Sequence, residues 1–412
     1  VSELQTSPET QLPVIVHVPG DVPLRPGPLL THSGLSINRF IGMHVTAALL
    51  PLVAGLLLYG WRALGATLLV VAGTAIGVAL WRNIGSRGSN LRYSHALWLG
   101  LLLAFTLPAH LLTERFFYAS DHWVSWPVYP AAGLLLAACI WLLGDIGSGR
   151  IHPVLIAQLL LTAAFHPLLL PISVLQPNKL FIGDLSDVGE KPRAIVFADS
   201  WFKSPPIHGQ DAIRVEPPSA KLSVYTTGLQ RPDRGLLIIE SFLRDRMPAM
   251  EDLVIGGQPG PIGASSAVAV IVGGLFLLYR GLIDFRIPVL IVIAAFITFL
   301  ILPIPTTITE TSVQWHWFAF RQHGVGRAMA VTFANYELLA SPLLFTAFFL
   351  ATSPAVRPMA RRARVVFAML VGIVTAIVQL YFSVAIGPYV ALLLVSLLTP
   401  TFDKWLRPRT LL

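Results

Sequence analysis

Charge is what this sequence has least of. Asp, Glu, Lys and Arg make up only 12% of its 412 residues, about half of the roughly 25% that a soluble chain uses to face water. Hydrophobic residues make up 55% and the mean hydropathy is +0.70. Most of the surface must therefore face something apolar, and lipid is the solvent that fits. Cysteine is almost absent too. The single one, Cys139, lies inside an apolar run, which excludes an intramolecular disulfide, a cysteine-based zinc site and an iron–sulfur cluster held by this chain alone. It reads as a small buried filler. The first 36 residues are polar and proline-rich and lack a basic stretch followed by an apolar one, so no cleavable signal peptide is expected. The net charge of +8 resembles a nucleic-acid signal only until the charges are located. They cluster at the ends of apolar runs, as in membrane proteins, and nucleic acid is excluded as a partner.

What the sequence does have is a series of apolar runs of about 17–25 residues, the length that crosses a bilayer. In the first half they fall at 40–60, 62–82, 95–113, 127–144 and 152–174, and in the second at 263–282, 286–304, 328–352, 363–384 and 387–403. The runs at 95–113, 263–282 and 328–352 carry Gly, Pro or polar residues and are candidates for broken helices. The domain plan is a segment 1–36, a five-helix unit 37–175, an inserted water-exposed domain 176–262, a second five-helix unit 263–404 and a tail 405–412. In the inserted domain, Arg193–Ala198 and Gly235–Glu240 read as strands, and 238–253 reads as a helix along the membrane surface.

Lys and Arg in the short loops set the orientation. One side holds fifteen of them, including Arg82, Arg87, Arg280, Arg361 and Lys404, and the other only Arg62, Arg115, Arg321 and Arg327. Positive charge stays inside, so both termini are expected in the cytoplasm and 176–262 outside, in a bacterial inner membrane. The halves echo each other. Leu99–His110 (LGLLLAFTLPAH) resembles Leu344–Val356 (LFTAFFLATSPAV), and Ile151–Leu160 (IHPVLIAQLL) resembles Ile386–Leu394 (IGPYVALLL). Five spans, an outer domain and five more spans is the pattern of an all-α polytopic protein with two inverted repeats, whose sites form where discontinuous helices meet.

Pro259–Arg286, PGPIGASSAVAVIVGGLFLLYRGLIDFR, closely resembles PGSIGETSALAILLGGLFLLYRGxIDWR of the D subunit of the Rnf complex, a pattern shared by the B subunit of the sodium-pumping NADH:quinone reductase, Nqr. Further stretches are similar in the same order. They are Ala96–Leu107, Gly144–Val154 (GDIGSGRIHPV), Phe348–Pro354 (FFLATSP, against FFMATDP) and Leu398–Arg409. The resemblance implies ten spans in two inverted units and a place among other subunits of a membrane electron-transfer complex. It also implies an FMN esterified to a threonine in some members. Here the best match to the attachment pattern DAxSGATPxA is Asp211–Ala220, DAIRVEPPSA, with Pro217 at the threonine position. Proline has no hydroxyl to esterify, so covalent FMN is not expected. Carboxylates of the family correspond to Tyr93, Ala264 and Ser353, which argues against a cation route of the family's kind.

Other candidates are fewer. Gly260, Gly263, Ser265 and Ser266 open a helix whose free N–H groups and hydroxyls suit a phosphate or the edge of a non-covalent flavin; the alternative is a close-packed helix entry that needs glycine. Glu337 is the one carboxylate placed inside a span, either interfacial or an ion site. His44, His95, His110, His152 and His166 are scattered, with no spacing that shows a shared site, and read as helix-end residues, with haem ligation by two of them on facing helices as the alternative. Ten tryptophans, among them Trp61, Trp81, Trp123, Trp126, Trp315, Trp317 and Trp405, form an aromatic belt at the bilayer interfaces, with quinone stacking at Trp315–His316–Trp317 as the alternative. Two functions remain open: an electron-transfer subunit using non-covalent flavin or quinone, or a repurposed scaffold or small-solute pathway.

Overall fold

The computed structural model describes residues 36–84, 93–109, 126–143, 151–165, 169, 173–175, 213–215, 217–227, 238–256, 260–308, 313–321 and 325–406. The expected strand at Arg193–Ala198, the Gly144–Arg150 loop, His110, His166 and the chain before 36 and after 406 lie outside the described residues.

The first half contributes α1 (Ile37–Tyr59), α2 (Trp61–Ile84), α3 (Tyr93–Thr106), α4 (Val128–Leu143) and α5 (Pro153–Ala164). A two-stranded antiparallel pair, β1 (Ser173–Leu175) with β2 (Ile213–Val215), precedes α6 (Pro218–Thr227), α7 (Ile238–Asp245) and α8 (Met250–Ile255). The second half opens with a 3₁₀ turn, Ile262–Ala264, and continues through α9 (Ala267–Tyr279), α10 (Arg286–Ile301) and the hairpin β3 (Ile304–Ile308) and β4 (Val313–His316). Then come α11 (Gly326–Leu339), the short α12 (Leu343–Phe345) running into a π-helical turn Thr346–Leu350, α13 (Arg361–Tyr381), α14 (Gly387–Leu397) and α15 (Thr399–Trp405).

Each of the ten apolar runs holds helix, and the lengths vary. α1, α2 and α13 are long and apolar enough to cross a membrane alone. α11 and the α12–π segment qualify as a pair, bent by 62° at the break between them, where Pro342 cannot donate to the helix. α5 has 12 residues, about 18 Å of helix, against a hydrocarbon core about 30 Å thick. The described helix covers only part of that thickness, and it meets α14, which has 11 residues. The outward faces of the helices are apolar, with Leu49, Val53, Leu68, Ile76, Leu275 and Ile297 exposed. The fold is that of a mostly helical, multi-pass membrane protein.

Lipid tails give helices no hydrophobic reason to associate, so close approach of small residues does that work. α2 lies along α4 with Gly133 set against the Val70 carbonyl and the Thr74 amide. In the second half α10 lies along α13 in the same way, and a Cβ on Gly372 would stand 2.5 Å from the Ile291 carbonyl. α1 and α9 cross where Pro51, lacking an N–H, frees the Ala47 carbonyl, and Gly273 packs against that oxygen.

The described part of the inserted region differs from expectation. The pattern of Gly235–Glu240 favours a strand, yet Ile238–Asp245 is a helix, one of the two in the stretch expected to lie as a surface helix. Alternation of Ile and Leu there suits either state, and burial of Ile239 and Phe242 on one helical face decides it. These helices dock on the second half. The Tyr225 hydroxyl donates to the Pro305 carbonyl, Tyr225 stacks on Phe242 at 4.2 Å, and the Tyr336 hydroxyl donates to the Pro248 carbonyl at 2.7 Å.

At the opposite end, Arg364 donates to Asp284 at 3.0 Å and to the Pro358 and Met359 carbonyls. Asp403 of α15 accepts from the Met359 amide at 2.9 Å and the Ala360 amide at 3.1 Å, capping α13, whose own N-cap residue Ala360 supplies no side-chain bond.

Candidate functional site

Helix interruptions from both halves converge. α3 ends at Thr106, whose hydroxyl lies 2.7 Å from both the Leu103 carbonyl and Gln158 Oε1 of α5 and has one proton to donate between them. The chain then runs extended, and Pro108 forms an antiparallel bridge with Pro261 while the Ile262 amide donates to the Leu107 carbonyl at 3.0 Å. Backbone groups released inside a membrane must find partners, and two tyrosines provide them. Tyr129 donates to the Pro108 carbonyl at 2.7 Å and Tyr59 to the Gly260 carbonyl at 3.3 Å.

The four residues expected to form a binding loop lie in this junction. Gly263 packs directly on Phe105 with no room for a Cβ, whereas Gly260 has open space at its Cβ position. The Ser265 hydroxyl donates to the Ile262 carbonyl at 3.0 Å, and Ser266 caps α9 by accepting from the Ala269 amide at 3.3 Å. Both hydroxyls thus serve the helix start, and an incoming group would meet backbone rather than side chains.

Pro217 is buried at the entry to α6, and its carbonyl accepts from the Ala220 and Lys221 amides. Pro217 and Pro218 open that helix, a position that tolerates proline because the missing N–H would be unpaired anyway. Tyr93 is exposed, with the Arg82 guanidinium 4.9 Å above its ring. Trp315 and Trp317 are exposed, as an interfacial belt requires, and His316 Nδ1 pairs with the Thr306 hydroxyl at 2.8 Å across the hairpin.

Glu337 is fully buried close before the break that follows α11, and neither carboxyl oxygen has a hydrogen-bond partner among the described residues. The hydroxyls of Thr346, Thr375 and Tyr389 and the Gln379 side-chain amide are likewise buried and without partners among the described residues of the same half.

The histidines depart most from expectation. His44 (α1), His95 (α3) and His152 (the residue before α5) line one cavity together with Trp98, Phe349 and Ser353. His44 donates from Nδ1 to the Phe40 carbonyl at 2.9 Å and meets Trp98 edge-on at 5.6 Å. No spacing rule finds this site, because its members come from three helices far apart in sequence. The signal that was present is that each lies near the start of its apolar run, at the first, third and fifth runs of the first half. Among the described residues no cluster of His, Cys, Asp and Glu has the geometry to hold a metal.

The fold and this junction define a polytopic membrane protein with interrupted helices meeting between its halves. Comparison with known proteins makes the class specific. The sequence profile of the NQR2, RnfD, RnfE family matches residues 27–411, and the chain belongs to that family. It is 25% identical over 392 residues, 92% of each chain, to the D subunit of the ion-translocating oxidoreductase complex of Halorhodospira halophila. Its similarity to the corresponding protein of Stutzerimonas stutzeri is 27% identity over 378 residues, 91% of this chain and 92% of that one. A shorter match, 28% over 165 residues and 40% of this chain against 43% of the relative, is to the D subunit of the Na(+)-translocating ferredoxin:NAD(+) oxidoreductase complex of Acetobacterium woodii.

Proposed function

We propose that this chain is an integral membrane subunit of an Rnf- or Nqr-like electron-transfer complex, without covalent FMN and without a cation pathway of its own. The observation that carries the reading is similarity along 92% of both chains to a subunit of an ion-translocating oxidoreductase complex. The architecture we propose is ten spans in two inverted five-helix units, spanning 37–175 and 263–404, with both termini cytoplasmic and 176–262 outside. The pairing of α2 with α4 and of α10 with α13, and the meeting of α5 with α14, support it. Covalent FMN does not fit at Pro217, which offers no hydroxyl and is committed to the entry of α6. A non-covalent flavin at Gly260–Ser266 would rest on backbone groups near Gly260, since both serine hydroxyls are engaged. The absence of carboxylates at Tyr93, Ala264 and Ser353 supports the view that ions cross elsewhere in the complex.

A second reading is a scaffold or a small-solute pathway, favoured by the same missing carboxylates and by the packed binding loop. Mild solubilisation, an absorption spectrum and mass spectrometry of co-purifying proteins separate the two. Partner redox proteins with flavin or quinone absorbance support the first reading, and a chain purified alone and colourless sinks it.

A further inference from the structure

The three-histidine cavity has no part in that reading and stands apart from it. Its interior offers about 30 Å³ to the centre of a water-sized sphere, room for about two water molecules. That space suits a small ion or water rather than a flavin or quinone ring. The sign of the surroundings decides between ions. Among the described residues no Asp or Glu lines the cavity, and the titratable lining groups are His44, His95 and His152. α5 starts at the wall of the cavity, and a helix of 12 residues places the equivalent of about half a positive charge at its first turn. Arg357 lies within electrostatic reach of His44, and Asp284, the acid that acts on Arg357, is itself hydrogen-bonded to Arg364. His152 is only 1% exposed, and its Nδ1 has no hydrogen-bond partner among the described residues. A buried nitrogen in that condition costs stability unless a ligand or water meets it.

We propose that this cavity is a binding site for a small monovalent anion, of halide or formate size, held by His152, His44 and the positive end of α5. The His44 Nδ1–H is committed to the Phe40 carbonyl, so Nε2 is the nitrogen free to gain a proton. An anion buried without a countercharge is costly, and a proton on an imidazole supplies one. Anion and proton therefore enter together, and affinity falls as pH rises.

Trp98 in the wall makes iodide the natural probe, because bound iodide quenches indole fluorescence. Full-length protein purified in detergent is titrated with iodide at constant ionic strength. The expected result is a saturable component on top of linear collisional quenching, weakening by up to about tenfold per pH unit between pH 6 and pH 8, displaced by chloride and lost in Trp98→Phe. His152→Leu abolishes the component. Should that variant not be recovered folded, His152→Gln is expected to weaken iodide about tenfold. Purely linear quenching overturns the proposal, as does a saturable component that survives at full strength in both His152 variants or one that chloride does not displace.

Discussion

Phe105 and Gly263 are in such close contact that no side chain fits at position 263, and the same ring meets Phe345 edge-on with centroids 6.0 Å apart. Phe105 closes α3, Gly263 opens the second half and Phe345 follows the break after α11. One aromatic ring therefore fills the space at three helix interruptions. Gly263→Ala pushes against the Phe105 Cβ, which is fixed to backbone and has no rotamer by which to retreat. The expected loss is about 1–3 kcal/mol, the cost of overpacking a well-filled interior. Unfolding of the detergent-solubilised variant, monitored by tryptophan fluorescence, measures it, and a midpoint equal to wild type would show that the junction is loosely packed.

Pro217 leaves no acceptor for a flavin phosphoester. The protein separated on a denaturing gel is expected to show no flavin fluorescence. A fluorescent band would place the attachment at another residue.

Glu337 is buried with two carboxyl oxygens that lack partners among the described residues. Glu337→Leu keeps the volume and removes the polar burden, so a gain of about 1–3 kcal/mol is expected. Glu337→Gln in the reconstituted complex is expected to leave donor-driven sodium or proton uptake unchanged. Uptake that vanishes in the Gln variant would show that this carboxyl lies on the ion route, and a destabilised Leu variant would show that the carboxyl has a partner.

Burial raises the Asp284 pKa, but the hydrogen bonds from Arg364 and the Arg286 amide and the charges of both arginines outweigh it and hold the carboxyl below its ordinary 3.8. A pKa lower in the folded state contributes stability that is present above the unfolded value and lost as pH falls through the folded one. Asp284→Asn is therefore expected to cost up to about 1 kcal/mol at neutral pH, the scale of a partly exposed ion pair. The difference from wild type should close in acid below 3.8. A difference that persists there would assign the loss to packing rather than charge.

The orientation set by the Lys and Arg count is tested with Ser200→Cys on a Cys139→Ala background. An impermeant maleimide is expected to label it in intact cells. Protection there, with labelling of an introduced terminal cysteine, would reverse the topology.

Helix positions are largely legible in the sequence because apolar run length is a local property. The ends of α1, α2, α4 and α10 fall within about three residues of the expected bounds. The break at Pro342 is legible for the same reason, since proline acts on its own helix. What stays hidden depends on residues distant in sequence. Ile238–Asp245 is helical because Ile239 and Phe242 are buried together against another element, and no local pattern reports that burial. The burial of Glu337 depends on the helices packed around it. His44, His95 and His152 share a cavity only through the packing of three helix starts.

The cap on α13 has a consequence in time. Met359 and Ala360 at its entrance wait for a carboxylate that lies 43 residues beyond Ala360 along the chain. In a protein made from its N-terminus, α13 leaves the ribosome before the carboxylate that caps it. The start of α13 is thus capped only once α14 and most of α15 have been made. A chain cut short before Asp403 would contain the long apolar helices α1, α2 and α13 and still leave the last of them uncapped.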